Sequence, residues 1–341
     1  MQRWITKVFI IGFWGLLAMI WAVISVFYYQ GTRPVSQDSR SITFEVQPGM
    51  TLKQVALELF NQRLIISPSA FQAIAYIQDK EKQIMVGEFS LSPSMLPTEI
   101  IMRLTSGKTI LYALTIPEGY RITEIASLLD TQGLANSEAF KLQTQDMSLI
   151  ESMDIPNDSL EGYLFPETYY LSKLTPEKKI VEKMVNTFKE KVLTSNLLKS
   201  VKESPLSLHE IITLASLIEK ETGLDSERKL ISSVFHNRLK KNMRLQTDPT
   251  VIYAIEKFDG NIRKRDLKID SPYNTYRYKG LPPGPISSPG IKSIEAAISP
   301  IKSNHLYFVS RKDGSHHFSN TLVEHNRAVK KYQLRKVNSK R

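Results

Sequence analysis

The chain has 341 residues, enough for two or three domains, and 42% of them are hydrophobic, so a sizeable core is available. Lysine and arginine exceed aspartate and glutamate by 45 − 34 = 11 charges, a balance that suits a polyanion: nucleic acid, an anionic membrane surface or an acidic wall polymer. The absence of cysteine excludes disulfides, cysteine nucleophiles and thiolate metal sites.

The first feature in chain order is an apolar stretch. Val8 to Thr32 carries no charged residue, and Phe9 to Tyr28 is almost wholly apolar. As a helix rising about 1.5 Å per residue, that run spans about 30 Å, the thickness of a bilayer core. Trp14, Trp21, Tyr28 and Tyr29 suit a membrane helix, the tyrosines at an interface. The run ends in Phe27-Tyr28-Tyr29 instead of the small residues of a cleavage site, so it reads as one uncleaved anchor over residues 8–29. Arg3 and Lys7 place residues 1–7 in the cytoplasm and the bulk of the chain outside it. A single span excludes a channel or transporter.

Residues 30–41 read as a polar linker. An internal repeat follows. Val46-Gln-Pro-Gly-Met-Thr-Leu-Lys-Gln-Val-Ala-Leu-Glu-Leu-Phe returns as Ile116-Pro-Glu-Gly-Tyr-Arg-Ile-Thr-Glu-Ile-Ala-Ser-Leu-Leu-Asp. Each copy predicts a short strand, a Gly turn and an amphipathic helix, then a Leu (Leu64, Leu134) and a small helix carrying Phe71 or Phe140. Phe44-Glu-Val-Gln-Pro-Gly-Met-Thr-Leu resembles the opening of a LysM module, which implies binding to N-acetylglucosamine polymers. The residues alone also fit a small α/β spacer with no sugar site. The expected modules are 42–110, LysM-like, and 111–158, a second repeat-like segment.

The rest, 159–332, reads as a mixed α/β domain with a basic tail at 333–341. Ser159 to Tyr170 is an aromatic turn into the core, and 175–199 predicts one charged, solvated helix. Ser207 to Gly223 then predicts a well-bounded helix. Ser207 and Glu210 stand as a capping box, and Gly223 sits where a left-handed C-cap is wanted. Leu208, Ile211, Leu214, Ala215, Ile218 and Thr222 share a face, with Glu219 and Glu221 at its margins. Both carboxyls lie at the negative end of the helix dipole, which raises a carboxyl pKa towards that of a general acid. Glu221 stacks on bulkier neighbours than Glu219, so desolvation leans towards Glu221, while periodicity alone leaves the choice open.

A second helix begins near Asp225, with Leu230, Ile231, Val234, Phe235 and Leu239 buried and Glu227, Arg228, Asn237 and Arg238 at its edges. Thr247 or Asp248 can cap a third helix, with Pro249 in its first turn. Tyr273, Asn274, Tyr276 and Tyr278 then precede a Pro/Gly-rich stretch, Gly280 to Gly290. A stiff loop flanked by aromatics and an amide suits a sugar: ring faces cover a pyranose and amides bond its hydroxyls. A helix over 291–298, a hairpin through His305–Val309 and His317–Ser319, and a helical tail from Thr321 complete the chain.

There is no phosphate-binding Gly loop, dinucleotide fingerprint, metal-ligand helix motif or G-x-S-x-G elbow. The basic charge forms no aromatic-laced stripe, so nucleic acid is not the expected partner. No cofactor and no metal are expected. What remains is a tethered domain with carboxylates, tyrosines and a stiff loop.

Ala215-Ser-Leu-Ile-Glu-Lys-Glu-Thr, Ser226-Glu-Arg, Asn237-Arg-Leu, Leu245-Gln-Thr-Asp-Pro-Thr-Val, Tyr273-Asn-Thr-Tyr and Gly280-Leu-Pro-Pro-Gly-Pro-Ile occur in that order, with His317-Phe and His325-Asn326 later. Together they resemble the endolytic murein transglycosylase family, also called YceG-like. The resemblance implies an α+β protein of the bacterial inner membrane that cuts nascent peptidoglycan strands outside the cytoplasm. The implied cut is at the MurNAc-β-1,4-GlcNAc bond, without water, leaving a 1,6-anhydro end and terminating polymerisation. It implies penicillin-binding synthases as partners. It places the catalytic acid at Glu221, in agreement with the desolvation argument. Glu219, Gln246, Asp248, Tyr273, Asn274, Tyr276, Pro283 and Gly284 are the expected substrate-binding residues, with Glu219 a candidate ion-pair partner of Arg228 or Arg238. Two other readings stay open at this level: a non-catalytic wall-binding scaffold that recruits synthases, and a hydrolytic muramidase.

Overall fold

The computed structural model describes residues 2–153, 155–156 and 158–334, with side chains described from residue 12 onward. The expected basic tail lies, from residue 335, outside the described residues. The chain divides into two compact units, Met1–Tyr112 with Tyr170–Leu174, and Ala113–Tyr169 with Thr175–Arg341. The fold is mixed α/β, and among the described residues its strands pair into three separate two-stranded sheets.

The first unit begins with α1 (Gln2–Thr32), which runs past the expected 8–29 at both ends. Its stretch Gly12–Thr32 is long and apolar enough to cross a membrane. The linker is correspondingly shorter and is not free: the Ser36 amide donates to the Pro93 carbonyl at 3.1 Å. Next come β1 (Ile42–Val46), α2 (Leu52–Asn61), α3 (Pro68–Ile77), β2 (Gly87–Leu91) and α4 (Pro97–Thr105). Strands β1 and β2 are antiparallel, Phe44 facing Phe89. Both rings join Val55, Leu59, Phe71 and Ile100 in a closed core.

The repeat is realised in three dimensions. In the second copy, β3 (Tyr112–Thr115), α5 (Ile122–Thr131), α6 (Ser137–Gln143), a short α7 (Met147–Glu151) and β4 (Thr168–Leu171) reproduce the strand–helix–helix–strand order, and β3 pairs with β4. Gly49 and Gly119 take the same left-handed backbone, φ 84° and 77°, which only glycine adopts without strain. The amides of Leu64 and Leu134 close the first helix of each copy on the carbonyls of Leu59 and Leu129, at 2.8 and 3.0 Å. Phe71 and Phe140 are both fully buried.

The helices of the second copy lie in the same unit as the remaining helices. The expected helix at 175–199 is two: α8 (Glu177–Val192) and α9 (Ser195–Glu203). α8 is no solvated cover, since Ile180, Val181, Met184, Val185, Phe188 and Val192 are buried. α10 (Leu208–Glu221), α11 (Asp225–Lys240), α12 (Asp248–Ala254) and α13 (Ile291–Ile298) follow, with α10 packed by the other three. The hairpin β5 (Tyr307–Ser310) and β6 (His316–Ser319) pairs Phe308 with Phe318. α14 (Leu322–Val329) packs on both of its strands.

Candidate active site

The site is built on α10. Its start is as expected: Ser207 Oγ accepts the Glu210 amide at 3.2 Å, and Glu210 accepts the Ser207 amide at 2.8 Å. Its middle differs. All eight residues Ile211–Ile218 are buried, Thr213 and Ser216 included, so the helix has no solvent face there. The polar ones are satisfied internally: Thr213 Oγ1 donates to the His209 carbonyl at 2.8 Å. Its end differs too. The C-cap is an extended Thr222 (φ −147°), and Gly223 is not left-handed.

The two carboxyls in the last turn have separate fates. The Glu219 side chain is 6% exposed and paired at 2.8 Å with that of Arg228 of α11, also 6% exposed. Its other oxygen accepts the Gly290 amide at 3.0 Å. Glu219 is thus tied into the protein and is not part of the cleft wall described next.

Glu221 opens onto a cleft of about 390 Å³ whose wall includes Arg238, Leu245, Gln246, Asp248 and Tyr276. The residue as a whole is half-buried; its carboxyl is enclosed by protein except towards the cleft. That loss of water pushes its pKa up to about 7. The Thr247 hydroxyl, which donates to Glu221 Oε1, opposes the rise. The negative charge of Asp248 adds to the rise, and His316 and Arg238 oppose it. A carboxyl poised near neutrality can give a proton and take one back.

Thr247 is placed by an unusual turn. Gln246 holds a left-handed backbone (φ 53°), a conformation that costs energy in a non-glycine residue. Its amide donates to the Thr275 carbonyl at 3.2 Å, and the Thr247 amide donates to Thr275 Oγ1 at 3.1 Å. Thr247 stands at the N-cap of α12, but its hydroxyl serves Glu221 instead of the helix. Across the cleft floor, the Tyr276 hydroxyl donates to Asp248 at 2.6 Å. Burial and that bond both raise the phenol's pKa.

Of the expected binding residues, the structure brings Gln246, Asp248 and Tyr276 to Glu221 and leaves the others elsewhere. Asn274 is fully buried, and its amide donates to the carbonyls of Leu267 and Ile269 at 3.1 and 2.8 Å, holding its own loop together. Tyr273 packs on Tyr253, ring centres 4.7 Å apart. Pro283 and Gly284 belong to a strap over α10. His209 Nε2 bonds the Pro283 carbonyl at 2.8 Å, and the Ile286 amide donates to Ser216 at 3.0 Å. An added Cβ on Gly162 would meet Pro285 at 2.4 Å, so the strap presses directly on the aromatic turn.

The cleft also has a wall that sequence reasoning passed over: Tyr307 and Phe308 of β5, and Leu322, His325 and Asn326 of α14. His325 stacks on Tyr307 at 5.2 Å, and Arg238 lies over the same ring, 5.1 Å from its centre. Arg238 is held by the carbonyls of Leu306 and Leu245, both at 2.6 Å. The motifs Asn237-Arg-Leu and His325-Asn326 were the available signal for this wall. Glu227 and Arg228, expected at the helix edges, are buried; Glu227 is paired with His316 at 2.7 Å.

Size does not select the site. A groove of about 760 Å³ in the first unit, lined partly by Ser41, Ser90 and Ser92, has no buried carboxyl. Another buried acid, Glu161, is pushed up to about 7 by burial but accepts the Ile122 amide at 3.1 Å and does not line the cleft.

A carboxyl titrating near neutrality, set in an open cleft with aromatic and amide walls, is the equipment of a glycan-cleaving acid–base enzyme. The chain belongs to the YceG-like family, whose family model matches residues 44–331. It is 36% identical over 317 residues to an endolytic murein transglycosylase of Bacillus subtilis (strain 168), covering 88% of this chain and 87% of that protein. It is 31% identical over 369 residues to an endolytic murein transglycosylase of Streptococcus pneumoniae serotype 2, covering 97% of this chain but 66% of that longer protein. A crystal structure of a yceG-like protein from Listeria monocytogenes, 36% identical, matches 84% of this chain and 98% of that one with a TM-score of 0.59.

Proposed function

We propose that this chain is a lytic murein transglycosylase with Glu221 as its one acid and base. The observation that carries the reading is the enclosed Glu221 carboxyl, with a pKa of about 7, at the wall of the cleft. Protonated Glu221 gives its proton to the glycosidic oxygen as the bond from C1 of MurNAc to O4 of GlcNAc breaks. The C6 hydroxyl of the same MurNAc then closes on C1, and its proton returns to Glu221. Atoms balance without water, and the acid is regenerated. Arg238, whose positive charge favours the ionised form of Glu221, stabilises the enzyme between the two proton transfers. Gln246, Asp248 and Tyr276 bind the sugars around the cut. Tyr273, Asn274, Pro283, Gly284 and Glu219 act on substrate only through the loops and helix ends they hold.

In this reading α1 is a single-pass anchor of the bacterial cytoplasmic membrane, with the N-terminus inside and both units outside. Nascent peptidoglycan is the substrate, and cutting it terminates strands made by penicillin-binding synthases nearby. The 42–110 segment, strand–helix–helix–strand in order, serves as a LysM-like module, and 159–332 with the second repeat copy carries the chemistry. Digestion of peptidoglycan in heavy-oxygen water tests the reaction. The expected products are anhydro ends with no heavy oxygen; label at a new reducing end would make the protein a hydrolase.

A further inference from the structure

The last turns of α1 do not stand clear of the first unit. An added Cβ on Gly31 would lie 2.7 Å from Ile74 Cδ1 and 3.8 Å from Ala70 Cβ, so α3 crosses α1 at its glycine. Below that crossing the helices part around a groove of about 380 Å³, lined by Val23, Ile24 and Phe27 of α1 and by Ala73, Ile74 and Ile77 of α3. α3, Pro-Ser-Ala-Phe-Gln-Ala-Ile-Ala-Tyr-Ile, has no charged residue. Phe71 and Ala75 join the core of its own module, while Ala70 is buried on the side of α1. Ile77 is left 82% exposed and Tyr76 58%. The charges begin just past the helix, at Asp79, Lys80, Glu81 and Lys82.

The depth of this groove follows from helix geometry. If Gly12–Thr32 crosses the bilayer, Val23 to Thr32 make up its final ~15 Å, at ~1.5 Å per residue. If Phe9 to Tyr28 is the span instead, Val23 to Tyr28 still lie within the last ~9 Å of it. Either way the wall formed by α1 is in contact with acyl chains, and the groove is continuous with that contact. An apolar groove and an uncharged helix face sit at low cost there.

We propose that α3 is a membrane-seating element: its Tyr76–Ile77 end enters the outer leaflet, and lipid acyl chains fill the groove between α3 and α1. This rests on the reading of α1 as a spanning anchor. The first module is then held against the lipid surface through two contacts, the anchor and α3, instead of trailing on a linker. The Ser36–Pro93 hydrogen bond shortens the same connection.

The absence of cysteine allows a clean test. Full-length protein carrying Ile77→Cys, labelled with an environment-sensitive fluorophore, is reconstituted in phosphatidylethanolamine/phosphatidylglycerol vesicles with or without a nitroxide on the acyl chain. Leu142→Cys, on the exposed face of α6, is the aqueous reference. Flotation with the vesicles is scored in the same samples. The expected result is co-flotation, blue-shifted emission at position 77 and quenching several-fold stronger than at 142. Co-flotation with an aqueous, unquenched label at 77 overturns the seating while leaving the anchor intact. A blue-shifted but unquenched label that depends on protein density means a second copy covers the face, and it overturns the seating too. Protein that does not float refutes the spanning reading and the seating with it.

Discussion

Thr247→Val removes one hydroxyl and nearly nothing else. Thr247 is 2% exposed, and its amide bond to Thr275 does not involve the side chain. The hydroxyl's partner is Glu221 Oε1, and the bond favours the ionised carboxylate. A hydrogen bond to a charged group contributes about 1.5–3 kcal/mol, and 1.36 kcal/mol is one pKa unit, so its loss raises the Glu221 pKa by about one to two units. Catalysis starts from protonated Glu221, so the wild-type rate falls as pH rises through about 7. In the variant that fall moves to about pH 8–9. Thr247→Ser restores the donor and brings the fall back towards 7. The assay is the rate of anhydro-product release, followed by mass spectrometry between pH 5 and 9.5. An unchanged alkaline limb in Thr247→Val, or a limb moved to lower pH, would refute this account of how the acid is tuned.

Other outcomes follow from the same contacts. Glu161 and its unfolded counterpart are both neutral well below pH 4.5, so its burial costs nothing there; between 4.5 and about 7 only the unfolded chain ionises, and stability falls with rising pH. The deficit reaches about 3 kcal/mol above pH 7, so Glu161→Gln should be more stable than wild type at pH 8 and equal to it near pH 4, as read by thermal melts; a constant difference across pH would contradict this. Glu219→Gln removes the buried carboxylate beside Arg228, which keeps Asp225 at 3.1 Å and Glu118 at 3.8 Å, and should cost about 1–3 kcal/mol of stability, yet retain activity when assayed below its melting point. Should it melt like wild type and be inactive, Glu219 acts on substrate after all. Tyr276→Phe frees Asp248 of its donor and should lower kcat more than it changes the melting temperature.

Local features were legible in the sequence, and features made by distant partners were not. The Ser207–Glu210 capping box, both Gly turns of the repeat and α13 lie within a few residues of their determinants, and each appears as expected. The C-cap at Gly223 failed because the chain leaves α10 extended at Thr222, so that the Thr222 hydroxyl can take the Leu224 amide at 3.0 Å. Periodicity presumes one wet face, and α10 has none over Ile211–Ile218, since other helices and the Pro/Gly strap cover it. Polar residues on α11 were read at the edges of its buried face. Arg228 and Glu227 are instead buried on Glu219 and His316, the latter 89 residues away in sequence. The same distance hid the far wall of the cleft: nothing local in α14 says that His325 and Asn326 face Glu221. Packing favoured Glu221 over Glu219 in the sequence, yet both carboxyls are enclosed; what separates them is the Arg228 partner of Glu219, which comes from another helix.

The central claim is that Glu221 is the group that moves the proton, and its amide replacement tests it most directly. Glu221→Gln keeps the shape of the side chain and cannot give or take a proton. It also removes a carboxyl whose pKa is raised by burial, so the variant should melt at or above the wild-type temperature at pH 8. The account predicts a folded protein that still binds glycan strands and releases no anhydro products. Anhydro products at the wild-type rate from Glu221→Gln would contradict it.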